Sequence, residues 1–217
     1  MSQVDGTHSR GTEAVRRFEA VALVASLGGL GPLTTVLGAL PPGFTARVLI
    51  AQHGRRGNRE RLARVLAHHS TLPVRVADPG AVLPDRGVVV VPTGYAATVD
   101  DRWRVSLAED DALRGGDALL TSLAAVAGRR MIGVVLTGML HDGTDGVRMV
   151  KKHGGRVIAQ DPATARGPSM PSSAIATGCV DHVLPPERIA PALVALTMAP
   201  GGAELLAVPT PPWARFT

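Results

Sequence analysis

The sequence predicts an α/β fold in which an open, doubly wound, mostly parallel sheet is covered by helices on both faces. Three observations lead there. Short, β-branched and nearly continuous apolar runs recur along the chain, as they do in strands buried on both sides. Stretches of helical length with one apolar stripe alternate with those runs. Gly and Pro mark the joints between the two kinds.

In chain order, Val21-Ala-Leu-Val-Ala25 reads as the first strand and Gly31 to Leu40 as the helix after it. Ala46-Arg-Val-Leu-Ile-Ala51 is the second strand. It precedes a helix from Arg59 to His69 on which Leu62, Val65, Leu66 and His69 share one stripe. Val74-Arg-Val-Ala77 and Gly87-Val-Val-Val-Val91 are two further strands. The segment from Ala97 to Leu107, with Asp100-Asp101 near its middle, predicts an antiparallel hairpin. A helix from Ala118 to Ala127, the strand Met131-Ile-Gly-Val-Val-Leu136 and a helix from Thr144 to Lys152 continue the pattern. This alternation is Rossmann-like, and no internal repeat interrupts it.

The 217 residues suit a single domain. Residues 1–17 are polar without periodicity and read as a flexible leader, 18–198 as the domain, and 199–217 as a Pro/Gly-rich tail whose Trp213 and Phe216 are able to dock on the body. With 45% hydrophobic and 19% charged residues the chain is not intrinsically disordered. Aromatics at 3% argue against a stacking platform, so no nucleic-acid partner is expected. The net charge of +5, carried by scattered arginines, favours acidic partners without naming them. Cys179 is the single cysteine, which excludes an internal disulfide and a thiolate zinc cage and fits a reducing compartment. The sequence has neither a long apolar run nor a signal-peptide pattern, so membrane insertion is not expected and a cytoplasmic location is.

In open α/β sheets ligands bind beyond the carboxyl ends of the strands. The first strand runs into Ser26-Leu-Gly-Gly-Leu-Gly31, the second into Gln52-His53, and the strand ending at Leu136 into Thr137-Gly-Met-Leu-His-Asp-Gly143. A serine, a histidine and a carboxylate therefore emerge on one rim. A serine hydroxyl needs a base to take its proton, and the base needs an acceptor to fix its tautomer; Ser26, His53 and Asp142 supply one residue for each role. The glycines after Ser26 permit a sharp turn into a helix whose free N–H groups would stabilise an oxyanion. Each residue also has a plain structural reading: Ser26 as a helix cap, His53 as a rim histidine, Asp142 as an Asx-turn or cap before Thr144. Their coincidence on successive strand ends favours chemistry. Two other kinds of site compete for these residues. Gly28-Gly29-Leu30-Gly31 lacks the G-x-G-x-x-G spacing of a dinucleotide site. A metal held by His53, His141 and Asp142 would need sequence neighbours to converge.

These motifs resemble the catalytic domain of the CheB-type chemotaxis protein-glutamate methylesterases. The resemblance runs from about Ala20 to Leu196 and rests on Ala25-Ser-Leu-Gly-Gly29, Ala51-Gln-His53, Leu136-Thr-Gly-Met-Leu-His-Asp-Gly143, Ile158-Ala-Gln-Asp-Pro-Ala-Thr164 and Ser169-Met-Pro-Ser-Ser-Ala-Ile175. It implies a Ser-His-Asp hydrolase that needs no cofactor or metal. Such an enzyme cleaves γ-glutamyl methyl esters on chemoreceptors or another methylated protein, releasing methanol, and can deamidate particular glutamines. Carried over, Ser26 is the nucleophile, His53 the base and acid, and Asp142 the orienting carboxylate. Leu27, Gly28 and Met139 belong to the oxyanion and active-site loops.

The chain departs from the family pattern in three places. Leu27 stands where a Thr is common, and the loop after His53 carries Arg55, Arg56 and Arg59 in place of a Met-Pro stretch. Arg114 and Asp117 retain only part of an Arg-Pro-Ser-Val-Asp pattern. Arg55, Arg56, Arg114 and Asp117 are thus substrate-binding candidates, the arginines suiting an acidic protein surface. The short leader leaves no room for the receiver domain of chemotaxis members, so a stand-alone catalytic domain is expected. The alternative is a catalytically weakened CheB-like domain acting as a partner-binding signalling module.

Overall fold

The structure, a computed structural model, describes residues 17–54 and 57–205, together with 208, 209 and 212. Its centre is β1 (Ala20–Ala25), all six residues of which are buried. Successive side chains alternate between the two faces: Val21, Leu23 and Ala25 enter one apolar cluster, Ala20, Ala22 and Val24 the other. After β1 come α1 (Leu30–Gly38), β2 (Arg47–Gln52), α2 (Arg61–His69), β3 (Val74–Val76) and β4 (Gly87–Val90). The strands β5 (Tyr95–Val99) and β6 (Val105–Glu109) precede α3 (Gly115–Ala127), β7 (Met131–Val135), α4 (Thr144–Lys152) and β8 (Arg156–Gln160). The chain continues with α5 (Ser169–Ala176), β9 (His182–Leu184), α6 (Pro186–Met198) and the short α7 (Gly202–Leu205).

The main sheet has seven strands in the order β3-β4-β2-β1-β7-β8-β9, with every neighbouring pair parallel. Strands β2 to β4 lie on one side of β1 and β7 to β9 on the other. The winding reverses between β1 and β7, and a crevice forms outside the carboxyl ends there. Helices α1, α2 and α6 cover one face through Leu33, Leu37, Leu66, Ile189 and Leu193. Helices α3, α4 and α5 cover the other through Leu119, Leu123, Val147, Val150 and Met170. The doubly wound α/β expectation is met, and the main sheet is parallel throughout.

The hairpin forms at Tyr95–Val99 and Val105–Glu109, paired antiparallel as a separate two-stranded sheet. Asp100 heads its turn, accepting the N–H groups of Arg102 and Arg104 at 3.0 and 2.8 Å. The hairpin packs on α3, where Val99 N–H donates to Ser122 Oγ at 3.1 Å. Helix α3 begins at Gly115, three residues before the expected Ala118. Two glycines in its first turn hide that start, because glycine disfavours helix interiors.

Strands β8 and β9 and helices α5 and α6 are additions to the sequence expectation. In β8 only Val157-Ile-Ala159 separates Arg156 from Gln160, too short a run to display a period. Helix α6 carries Pro186 in its first turn, where no backbone donor is needed, and Pro191 inside, where one is forfeited. Its apolar face of Ile189, Leu193 and Leu196 holds it on the sheet despite that loss. Trp213 and Phe216 lie outside the described residues.

One buried ion pair fastens this half of the sheet. Lys151 at the end of α4 meets Asp181 before β9, with side chains 3% and 0% exposed. Asp181 Oδ2 also accepts Val157 N–H at 2.7 Å. Breaking such a pair strands the remaining charge in a poor solvent. Lys151→Met is expected to lower unfolding free energy by about 3–5 kcal/mol in urea titrations, whereas Lys151→Met combined with Asp181→Leu is expected to lose less. Equal stability of Lys151→Met and the parent protein would mean that the pair is solvated.

Candidate active site

The parallel register brings Ser26 and His53 together. Ala25 pairs with Gln52, and His53 N–H continues the ladder to Ala25 O at 2.9 Å. Ser26 and His53 are the next pair in register, on strands about 4.8 Å apart. Ser26 has the same parity as Ala20, Ala22 and Val24, and His53 that of Leu49 and Ala51, so both side chains leave the sheet on the face covered by α3. On the other flank Ser26 N–H donates to Thr137 O at 2.9 Å. The serine therefore stands at the winding reversal, between the ends of β2 and β7.

Asp142 completes the row. His53 Nε2 is 2.8 Å from Asp142 Oδ2, with the ring N–H directed well off the line to the oxygen, so the distance is that of a hydrogen bond and the angle is not. A carboxylate accepts only, so a ring proton shared with Asp142 sits on Nε2. Asp142 is buried and is itself held by two backbone donors, Gly116 N–H at 2.7 Å and Asp117 N–H at 2.8 Å. A Cβ on Gly116 would overlap Asp142 Oδ2, so glycine is required for this approach.

A second carboxylate lies beside the imidazole, and sequence reasoning missed it. Asp110 Oδ2 is 3.7 Å from His53 Nε2, and the Asp110 side chain is only 6% exposed. It follows β6 directly, is anchored by its own N–H to Gly94 O at 3.1 Å, and accepts Arg114 N–H at 2.8 Å and Gly115 N–H at 3.0 Å. The four consecutive donors from Arg114 to Asp117 are therefore divided between two carboxylates, Asp110 taking the first two and Asp142 the last two. These are the orphan N–H groups at the start of α3, and the helix dipole there favours anions. The signals in the sequence were the carboxylate after the hairpin and the Gly115-Gly116 pair.

These charges act on His53. Burial alone would lower its pKa, but the contact and attraction of Asp142, with Asp110 and Asp117 adding, outweigh it and raise the pKa above 6.5. This stabilises the fold fully below the unfolded pKa, and the contribution is lost as pH rises through the folded value. A reaction that uses neutral His53 as base will show its acid limb in kcat/KM above pH 6.5. Asp110→Asn is expected to move that limb to lower pH; a limb that stays in place would remove Asp110 from the field acting on the ring.

The loop beyond β7 is fixed by a buried polar network. Thr137 and Gln160 are 0% exposed. Thr137 N–H donates to Gln160 Oε1 at 2.9 Å, Thr137 Oγ1 donates to Leu27 O at 3.0 Å, and Gly167 N–H donates to Thr137 Oγ1 at 2.8 Å. Gly138 N–H donates to Gly167 O at 2.8 Å and Met170 N–H to Gly138 O at 3.0 Å. A Cβ at Gly138 would collide with Met170 Sδ and Ser26 Cβ, so this turn closes directly over the serine. The Thr-Gly-Met and Ala-Gln-Asp motifs thus build one support. Among the described residues, the N–H groups of Leu27 and Gly28, which follow Ser26, and of Met139, which follows Gly138, have no protein acceptor. Gly28 is left-handed at φ 79°, as the turn into α1 requires.

The other candidates fall out differently. Arg114 is 63% exposed and paired with Asp145 at 3.3 Å, while Asp117 accepts Gly146 N–H at 2.7 Å and ties α3 to α4. Burial raises the Asp117 pKa against that bond, with Asp142 and Asp145 adding to the rise. Arg55 and Arg56 lie outside the described residues. His141 is exposed while Asp142 beside it is buried, so the pair diverges and the three-ligand metal alternative is not assembled. Beside Asp142 a cleft of about 420 Å³ runs between Leu113, Arg114, Leu140 and Asp145. A larger cleft of about 620 Å³ between α2 and β3 contains none of the residues that carry chemistry.

The rim is apolar. Leu27, Leu113, Met139 and Leu140 are exposed on the loops that carry Ser26, Asp110 and Asp142, and Leu30 is exposed at the start of α1. Leu113 and Leu140 also hold positive φ angles of 53° and 66°, a cost tolerated where a loop is built for function.

Residues 21–193 match the family model described as CheB methylesterase. The chain is 40% identical over 192 residues to the protein-glutamate methylesterase/protein-glutamine glutaminase of Moorella thermoacetica, covering 85% of this chain and 45% of that protein. It is 38% identical over 181 residues to the protein-glutamate methylesterase FrzG of Myxococcus xanthus, covering 82% and 54%. The crystal structure of the Thermotoga maritima CheB methylesterase catalytic domain matches with a TM-score of 0.74 at 32% identity, over 81% of this chain and 97% of that one. The chain spans about half the length of the curated relatives it matches.

Proposed function

The chain belongs to the CheB methylesterase family, and from that premise we propose that it hydrolyses glutamate γ-methyl esters on a methylated chemoreceptor or another methylated protein. Ser26 is the nucleophile, His53 the general base and acid, and Asp142 the carboxylate that orients the ring. The observation that carries this reading is the row itself: His53 follows Gln52, the register partner of Ala25, its N–H bonds to the carbonyl just before Ser26, and its ring lies 2.8 Å from buried Asp142.

His53 takes the Ser26 hydroxyl proton as Oγ attacks the ester carbonyl. The oxyanion forms beside the N–H groups of Leu27, Gly28 and Met139. His53 returns the proton to the leaving methoxide, and methanol departs. Water, deprotonated by the same ring, then attacks the acyl-enzyme, and glutamate is released as Ser26 regains its proton. With a glutamine side chain the same steps expel ammonia, which is the deamidation named for the Moorella thermoacetica relative.

A protein substrate suits the apolar rim, since exposed Leu27, Leu113, Met139 and Leu140 would cover surface that a small polar ester leaves wet. Arg55, Arg56 and Arg114 would add attraction to an acidic face of that substrate. Among the described residues no helix is long and apolar enough to cross a membrane. The test is methanol release from receptor carrying labelled methyl groups. Release above the spontaneous rate is expected; binding without release, on every methylated protein tried, would make the chain a partner-binding module instead.

A further inference from the structure

Arg166 follows the Ala-Gln-Asp segment, and its root is fixed from both sides of the active-site turn. The next residue, Gly167, donates its N–H to Thr137 Oγ1 and accepts Gly138 N–H, each at 2.8 Å. The aliphatic stem of Arg166 lies on Gly28: a Cβ built on that glycine would stand 2.7 Å from Arg166 Cβ and 3.1 Å from its Cδ. Gly28 is two residues from Ser26, at most about 7 Å along the chain. The arginine is exposed, and among the described residues no carboxylate pairs with it. Arg114, across the site, is by contrast occupied by Asp145 and Asp117.

A guanidinium with a packed stem and an unpaired head is a fixed positive charge with five donors in a planar fork. We infer that Arg166 is a specificity-determining residue that reads a carboxylate on the substrate next to the scissile ester. The inference rests on the esterase reading of Ser26 and adds the chemistry of the neighbouring group. Length scales agree: on a helical substrate an acidic side chain one turn from the ester lies about 5–6 Å from it, comparable with the span of up to about 7 Å between Ser26 and Gly28, on which the Arg166 stem rests. Charge-assisted pairing at that point would tighten binding of the ester whose neighbour is ionised and leave its amide counterpart without a partner.

The test uses two helical peptides, each with one glutamyl methyl ester and differing only in a Glu or a Gln one turn away. The parent protein is expected to favour the Glu peptide by about fivefold in kcat/KM at low ionic strength, with the ratio shrinking as salt rises. The ratio is expected to fall to near one in Arg166→Gln, to invert in Arg166→Glu and to persist in Arg166→Lys. The same ratio in the parent and Arg166→Gln, with Ser26-dependent methanol release from both peptides, would overturn the inference and leave the esterase reading in place. Absence of Ser26-dependent release from receptor and peptides alike would remove the esterase reading on which it rests.

Discussion

Ser26→Ala is expected to lower kcat for ester hydrolysis by about 10⁴- to 10⁶-fold while leaving the fold intact. The backbone bonds of Ser26, from its N–H to Thr137 O and from Gly29 N–H to its carbonyl, do not involve the side chain. The residue is only partly buried, and its Cβ, which alanine keeps, already fills the space beneath Gly138. Removing the hydroxyl therefore deletes the attacking atom and little else. Methanol release and the thermal unfolding midpoint, measured on the same preparation, separate chemistry from stability. A variant that releases methanol at the parent rate would take the nucleophile away from Ser26 and with it the role given to His53.

Asp142 should respond on two scales. Asp142→Asn keeps a carbonyl acceptor near the start of α3 but cannot hold the ring proton on Nε2, so kcat is expected to fall by about 10⁴-fold. Because Asp142 helps raise the His53 pKa, any residual activity should show its acid limb at lower pH. Asp142→Ala also leaves Gly116 N–H and Asp117 N–H without acceptors at a buried helix start. That adds roughly 2–4 kcal/mol of destabilisation, or several degrees in Tm for a domain of this size. Normal turnover in Asp142→Asn would transfer the orienting role to Asp110, the second carboxylate facing the same nitrogen.

The three residues of the row were legible because they depend on local rules. The strand-end rule places Ser26 and His53 on one rim before any coordinate is known, and the Asp142-Gly143 pair stands between the last recognised strand and a clear helix. Asp110 was not legible. Its approach to His53 needs the hairpin to dock on α3, and no periodicity in Tyr95 to Glu109 encodes that docking. Thr137 and Gln160 stood in the sequence as motif residues without a role and Gly167 lay outside the motifs, since hydrogen bonds between positions about thirty residues apart leave no local pattern. Asp117, a substrate-binding candidate in the sequence, also ties two helices through its bond from Gly146, a tie between α3 and α4 that no local pattern announces.

By itself the sequence determined the buried strands, the helix faces and the chemical identity of the groups on the rim, because apolar periodicity and glycine placement act over a few residues. Only the tertiary structure decided which carboxylates share the imidazole, which arginine rests on the turn after the serine and how the turns close over it. Those outcomes depend on the angle at which α3 meets the sheet and on loops packed against one another, and such packing is the joint result of distant segments competing for the same volume.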